Sequence, residues 1–496
     1  MKRMRMLAAL FALLALVATA CSASDDDETS TGDTSSETSD DSSSDDSSSD
    51  DTAEDDAMED DTAEDDAMED DTAEDDAMED DAMEDELATD FGVTEDSIRV
   101  GLSADLSGPF AALTSVIVDA QEAYFDRVNE NGGIAGREVE LVVLDNAYDV
   151  PTQQDNYAEL SEESEEGVVL ISQSTGSPHT SAIANSLVED DLFAIPLSWY
   201  SGWADQDFGG NVFELYTNYC FEGMNGVEFL VGQSGKAAPT LAVVTRPGEY
   251  GQDGAAGAKI AAEALGLEIV YDGEGVVEGD DFTPIITELV SAQPDLVWIT
   301  TSPTQTAQIV GGAFQGGLTG AIWSGSSPSY NPALLDTPVG PILDAAYFHS
   351  TYAALWGAND SAGMQDMMAE ITARIPTGTY AQADTYVIGW TEAMMAEAVL
   401  EAAAASGDMT RAGVLDAARN VSVDFQGLAP DQTWLGDPND FAVRESYIYD
   451  VVLADATTTT PITEPGSGGL ALLEGPYVGD VAAGYDFQEP CFVSEG

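Results

Sequence analysis

The chain is poor in positive charge, in histidine and in cysteine. Its 496 residues hold 13 Lys and Arg against 94 Asp and Glu, a formal net charge of −81. A surface so negative repels phosphate backbones and excludes nucleic acid as a partner. Only two histidines are present, His179 and His349, too few to cluster with three cysteines into a zinc site. No G-x-S-x-G elbow occurs, so the serines carry no hydrolase signature. The segment GQSGKA (232–237) lacks the glycine spacing of a phosphate-binding loop and the Ser or Thr that should follow Lys236. The chain therefore carries no nucleotide motor. Beyond residue 20 no apolar run is long enough to span a bilayer.

What is present at the start serves export. Lys2, Arg3 and Arg5 precede the apolar run MLAALFALLALVA, and small residues stand just before Cys21. This is similar to a bacterial lipoprotein signal over residues 1–20. The resemblance implies a lipid on Cys21 and a chain held at the outer face of the cell membrane, although Ala18 stands where the pattern prefers Leu. Ordinary secretion is the alternative. Residues 21–93 are low in complexity and include three tandem copies of DTAEDDAMED. Residues 22–90 hold 34 Asp and Glu and no Lys or Arg. Such a segment self-repels and has almost nothing to bury, so it is expected to be a disordered acidic tether. Calcium binding by its carboxylates is the sharper alternative. Outside that tail 60 acidic residues face 10 Lys and Arg, leaving the foldable part near −50. A charge of that size suits salty surroundings, where screening acts within ~10 Å, and it also leaves a cationic ligand open.

From residue 98 the pattern changes to alternating strands and helices. IRVGL (98–102) reads as a buried strand, SGP (107–109) as a turn, the following stretch as a helix of about four turns, and 139–144 as a second buried strand. A β-α-β unit crosses over right-handed onto a parallel sheet and presents its turns at the strands' carboxyl ends, where ligands bind. Helix 152–164, strand 167–172, helix 179–189 and strand 192–198 continue the series. Strand 212–217 (VFELYT) leaves it, and a second series runs from 221 to 325. The segment 345–353 is expected to return to the first lobe, which helices at 360–374, 381–404 and 410–419 complete. The fold class is α/β, with two doubly wound lobes.

SGPFAAL, NENGGIAGREVELVVLDNAYD, YGQDGAAGAK and DFTPIITELVSAQPDLVWI, in that order, resemble the type 1 extracellular solute-binding proteins of ABC importers, close to the branched-chain amino-acid (Leu/Ile/Val-binding) group. The resemblance implies two lobes joined by a three-segment hinge, with lobe 1 at 94–217 and 349–440, lobe 2 at 218–348 and 441–455, and an extension at 456–496. It implies a monomer that captures a small polar solute, an amino acid, amide or related compound, without enzymatic activity or cofactor. The solute would pass to a permease driven by a separate ATPase. A ligand-sensing receptor of the same fold is the alternative, and a secreted hydrolase using His179 a more distant one.

Strand-end turns nominate the ligand contacts Ser107, Phe110, Tyr148, Ser174, Thr175, Ser198, Trp199, Tyr200, Tyr219, Tyr250, Ser302 and Ser327. In the family the turns after the third and fourth strands hold a carboxylate through hydroxyls and backbone N–H groups, which carries over to Ser174, Thr175 and either Thr180 or Ser181, then to Ser198 and Trp199. Acids that hold the ammonium in amino-acid binders are poorly matched, with Glu222 only approximately placed and Ser327 where the second would fall. The aromatics Trp199, Tyr200, Trp203, Tyr219, Tyr250 and Tyr330 could box a flat or cationic ligand. Cys220 and Cys491, an even pair in an exported chain, are expected to form a disulfide near the first crossing.

Overall fold

The computed structural model describes residues 87–375, 385–456 and 468–493. The signal, Cys21 and nearly all of the acidic tether lie outside the described residues. Among those described, no helix is long and apolar enough to cross a membrane.

Lobe 1 opens with β1 (Ser97–Ala104), α1 (Ala111–Glu130), β2 (Glu138–Asp145), α2 (Val150–Leu160), β3 (Leu170–Thr175), α3 (Ser177–Glu189) and β4 (Ala194–Leu197). The four strands pair in parallel in the order β2-β1-β3-β4. Helix α1 outruns the four turns expected because Leu113, Val116, Ile117, Ala120, Tyr124 and Val128 hold a 3.6-residue stripe against the sheet to its end.

Lobe 2 comprises α4 (Tyr219–Ser234), β5 (Thr240–Thr245), α5 (Gly248–Leu265), β6 (Glu268–Gly273), α6 (Thr283–Ala292), β7 (Leu296–Thr300), α7 (Pro303–Gln315), β8 (Ile322–Gly325), α8 (Gly340–Ala346) and β9 (Tyr347–Thr351). The chain then returns to lobe 1 for α9 (Ala362–Arg374), α10 (Tyr386–Ser406) and α11 (Arg411–Asn420), before adding β10 (Ser446–Ala456), β11 (Gly468–Tyr477) and α12 (Asp480–Gly484) to lobe 2. The second sheet has seven strands in the order β11-β10-β9-β8-β7-β5-β6. Its first five strands in sequence are parallel, and β10 and β11 close it antiparallel. The period of two sorts its side chains cleanly. Ala242, Val244, Val297 and Ile299 enter one core, and Leu241, Val243, Leu296 and Trp298 the other.

Several expectations are corrected here. VFELYT is extended but is not a strand. It makes two isolated bridges, Val212 to Ala194 and Thr217 to Val443, and between them side chains serve the backbone, with Gln432 Nε2 and Trp434 Nε1 both donating to the Glu214 carbonyl. The segment 345–353 does not all return to lobe 1. Its first residues finish α8, and β9 pairs with β8 and β10 through Thr351, so the boundary drawn at residue 349 falls inside a lobe 2 strand. The extension from 456 supplies the edge strand β11 to the same sheet and then runs back to α4, where Cys491 is disulfide-bonded to Cys220 with Cα atoms 6.3 Å apart. Thr217 and Val443, on two of the crossing segments, lie side by side in a parallel bridge at the waist.

Helix α10 is predominantly apolar, and its residues 386–396 are buried on every side, Glu392 included. It meets α1 at Gly389, where a Cβ would stand 2.1 Å from the Ile117 carbonyl oxygen. This close approach brings Ile117 and Ile388 to the same place, at the head of the first sheet.

Candidate functional site

The carboxyl ends of both sheets face one cavity of about 610 Å³, mouth included. Lobe 1 contributes Phe110, Leu113, Thr114 and Ile117 from the start of α1, Tyr148 after β2, Thr175, Gly176 and Ser177 at the β3-to-α3 turn, and Leu197 and Trp199 at the end of β4. Thr385 and Ile388 come from α10 and the residue before it. Lobe 2 contributes Tyr219, Tyr250, Ser327, Pro328, Tyr330 and Thr351. Among the described residues no Lys, Arg, Asp or Glu lines the space.

Seven of the twelve nominated residues reach it: Phe110, Tyr148, Thr175, Trp199, Tyr219, Tyr250 and Ser327. The other five lie outside the lining, with their hydroxyls bonded elsewhere or, for Ser107, exposed. Ser174 Oγ pairs with Thr180 Oγ1 at 2.9 Å and accepts from Gln153 Nε2. Ser198 Oγ donates to Ser177 Oγ at 2.6 Å and accepts from Trp203 Nε1. Ser302 caps α7 in a reciprocal box with Gln305. Tyr200 donates to the Phe492 carbonyl at 2.6 Å. Ser107 is exposed beside Asp145. Trp203 also leaves the proposed box, standing edge-on to Tyr200 inside lobe 1.

Aromatic rings close the cavity across the cleft. Phe110 meets Tyr148 at 4.8 Å and Tyr250 of the opposite lobe at 6.2 Å. Tyr219 packs on Tyr250 at 4.8 Å, and Trp199 stacks on Tyr352 at 4.1 Å. At the rim, the Arg246 guanidinium of lobe 2 sits 5.8 Å from the Phe110 ring and 5.7 Å from that of Tyr148. Ser181 Oγ donates to Glu249 Oε1 at 3.4 Å, a further contact between lobes.

The polar groups of the cavity are unevenly placed. Tyr250 spends its hydroxyl inside lobe 2, donating to the Thr301 carbonyl at 2.8 Å with Ser326 Oγ at 2.9 Å, so it presents its ring. Helix α3 differs. Its N-cap is Gly176 at φ 101°, no side chain caps it, and Pro178 follows in the first turn. Gly176 is required there: a Cβ would stand 2.3 Å from His179 Nδ1 and 2.9 Å from Tyr148 Cε2. The partial positive end of this helix thus meets the cavity through Gly176 and Ser177.

Two ionisable groups sit just outside. Glu222 is fully buried at the start of α4 and accepts from Ser327 N at 2.8 Å, and burial holds its carboxyl well above the usual range. His179 is buried against Tyr148 at 4.3 Å, and desolvation pushes its imidazole down. No serine hydroxyl bonds to either of its ring nitrogens. His349 packs against Tyr330 at 4.7 Å, its imidazole pushed down to about 3 by burial.

Half of the lining residues that sequence reasoning missed are Thr114, Gly176, Ser177, Thr351 and Thr385, and the other half are apolar, namely Leu113, Ile117, Leu197, Pro328 and Ile388. Their periodicity marks them as core, and core they resemble until both lobes are placed around the same gap. Only the turn at Gly176 and Ser177 carried a usable signal, next to Thr175.

A model of the periplasmic binding protein family matches residues 97–457. Among solved structures, a fatty acid ABC transporter substrate-binding protein from Thermomonospora curvata is similar at 28% identity and TM-score 0.71, over 82% of this chain and 97% of that one. A branched-chain amino acid ABC transporter protein from Thermus thermophilus with bound valine is similar at 18% identity and TM-score 0.63, over 79% and 99% of the two chains. A solute binding protein of an ABC transporter from Rhodopseudomonas palustris BisB5, in complex with 3,4-dihydroxy benzoic acid, is similar at 18% identity and TM-score 0.59, over 72% and 93%.

Proposed function

The chain belongs to the periplasmic binding protein family, and from that premise we propose that it captures an amphipathic monocarboxylate with an aliphatic or aromatic body and delivers it to an ABC permease. The observation that carries this reading is the lining: an apolar and aromatic bed with no charged side chain among the described residues, and one uncapped helix start at Gly176 and Ser177. The carboxylate would sit at that helix start, where the dipole and the N–H groups of the first turn favour an anion. The body would lie on Leu113, Ile117, Leu197 and Ile388 beneath the rings of Trp199, Tyr219 and Tyr250. A small polar solute would leave those surfaces unpaired. The three similar proteins named above carry fatty acid, valine and dihydroxybenzoate in their descriptions, and all three ligands pair a carboxylate with an apolar or aromatic body.

Because contacts to both lobes exist only with the cleft shut, ligand shifts the balance toward closure, and the permease reads the closed shape. A lipid on Cys21 and the acidic tether would hold the folded lobes near the membrane. Calorimetric titration with butanoate, octanoate, 4-hydroxybenzoate, valine and phenethylamine tests the solute class. Each methylene added within the cavity should gain about 0.8 kcal/mol, so octanoate is expected to bind on the order of 100-fold tighter than butanoate. Tightest binding of valine or of the amine would overturn the monocarboxylate.

A further inference from the structure

Behind the cavity, on the same side of the waist as the disulfide, lobe 1 is fastened to lobe 2 through one buried acid. Asp253, on α5 of lobe 2, is 0% exposed. Its Oδ2 accepts from Ser201 N at 3.0 Å and its Oδ1 lies 2.5 Å from Ser201 Oγ, and Ser201 belongs to the loop that leaves β4 of lobe 1. The backbone N–H groups of Cys220 and Phe492 are directed at the same carboxyl. The C-terminal segment completes the junction: Cys491 N donates to Ser201 Oγ at 2.9 Å, Tyr200 of lobe 1 donates to the Phe492 carbonyl, and Cys491 is bonded to Cys220 at the start of α4. A carboxyl, a lobe 1 hydroxyl and a covalently held tail thus share one buried node.

We propose that this node is a pH-sensitive clasp: Asp253 and the C-terminal segment pin the Ser201 loop of lobe 1 to lobe 2, and shutting the clasp buries Asp253 as the neutral acid.

The electrostatic surroundings agree with that geometry. Burial raises Asp253 to about 7, although the donors from Ser201, Cys220 and Phe492 oppose the rise. The titratable groups that feel it are Glu214 from the segment before the first crossing, Tyr200 from the β4 loop and Tyr485 from the C-terminal segment. Glu249 on its own helix acts with it on Tyr200. None of these is a cation. When the Ser201 loop lifts, water reaches the carboxyl and its affinity for a proton falls toward the ordinary value of 3.8. The shut state therefore holds more protons. A group raised in the shut state contributes fully below its open-state value and loses that contribution as pH rises through the shut-state value, here the interval between 3.8 and about 7.

Hydrogen exchange tests the clasp without any solute, so its outcome is independent of the ligand class. After correction for intrinsic exchange, opening at the Ser201 amide should rise by up to tenfold per pH unit above about 5 and level off beyond about 7. In Asp253→Asn the dependence should vanish. In Cys491→Ser the Ser201 amide should open at least several-fold more at every pH, because the tail is no longer held. A flat profile in the unaltered protein, or an unchanged slope in Asp253→Asn, overturns the proposal, as does Cys491→Ser with exchange at Ser201 unaltered. Should Asp253→Asn fail to fold, the carboxyl carbon shift of Asp253 decides in the unaltered protein: titration near 7 supports the clasp, and titration below 5 ends it.

Discussion

The two faces of the cleft are built from different materials. Lobe 1 offers the aliphatic side chains Leu113, Ile117, Leu197 and Ile388, the rings of Phe110, Tyr148 and Trp199, and the open start of α3. Lobe 2 offers Tyr219, Tyr250 and Tyr330 with Ser327, Pro328 and Thr351, and the Tyr250 hydroxyl bonds within its own lobe. Both faces bring rings, but one also supplies most of the aliphatic burial and an anchor for charge, and the other is a lid of tyrosines. Burial scales with area removed from water, whereas a ring already satisfied at its polar tip contributes mainly shape. Substitutions on the aliphatic face should accordingly cost binding far more than loss of a hydroxyl on the opposite one.

Ile117→Asp breaks the comparison most severely. Ile117 is 1% exposed among apolar neighbours, and a carboxylate there would both hydrate the bed and repel an anionic ligand. Octanoate binding should fall by at least ~100-fold, about 2.7 kcal/mol, in calorimetric titration. An affinity within threefold of the unaltered protein would show that the aliphatic face is not where the body lies.

Trp199→Ala comes next, because Trp199 bridges the faces. It is stacked on Tyr352 and edge-on to Tyr219 at 6.1 Å. Truncating a buried tryptophan costs about 3–5 kcal/mol, so denaturant midpoints should drop sharply, and Trp199→Phe should recover much of the loss. Equal effects of the two variants would mean that ring stacking contributes nothing at this position.

How much of this was legible beforehand follows the same division. Strands such as TLAVVT and LVWIT stand where their apolar runs place them, because a buried parallel strand advertises itself by composition. VFELYT misled for the same reason: it has a strand's composition, but between the bridges at its two ends its partners are the Gln432 and Trp434 side chains, more than 200 residues away in sequence. At the site, the aromatic and turn residues could be nominated because strand ends are readable. Ser174, Ser198 and Ser302 lie off the lining with their hydroxyls bonded elsewhere, and a sequence does not show which hydroxyls are so engaged. Ile388 was invisible, since only the contact at Gly389 brings α10 beside α1.

Behind the aliphatic face lies a smaller effect that pH exposes. Glu392 of α10 is buried in lobe 1 and accepts from Gln121 Nε2 at 2.7 Å, and Gln121 accepts from Ser172 Oγ. Burial holds Glu392 well above its usual 4.5. A carboxyl raised on folding stabilises fully below 4.5 and loses that contribution as pH rises through its folded value. Glu392→Gln, neutral at every pH, should match the parent protein in melting temperature near pH 5 and exceed it near pH 8. The reverse order at pH 8 would mean that the carboxylate is stabilised where it sits.

The smallest effect belongs to the lid. Tyr250→Phe removes a hydroxyl that the structure uses inside lobe 2 and leaves the ring that faces Phe110 and Tyr219. Losing one such bond, with the Thr301 carbonyl left without this donor, should cost about 1–2 kcal/mol of folding stability. Octanoate affinity should change by less than ~threefold, about 0.6 kcal/mol. If affinity fell tenfold or more while stability held, the hydroxyl would be contacting solute directly. Lobe 2 would then share the polar recognition that the α3 start is proposed to carry alone.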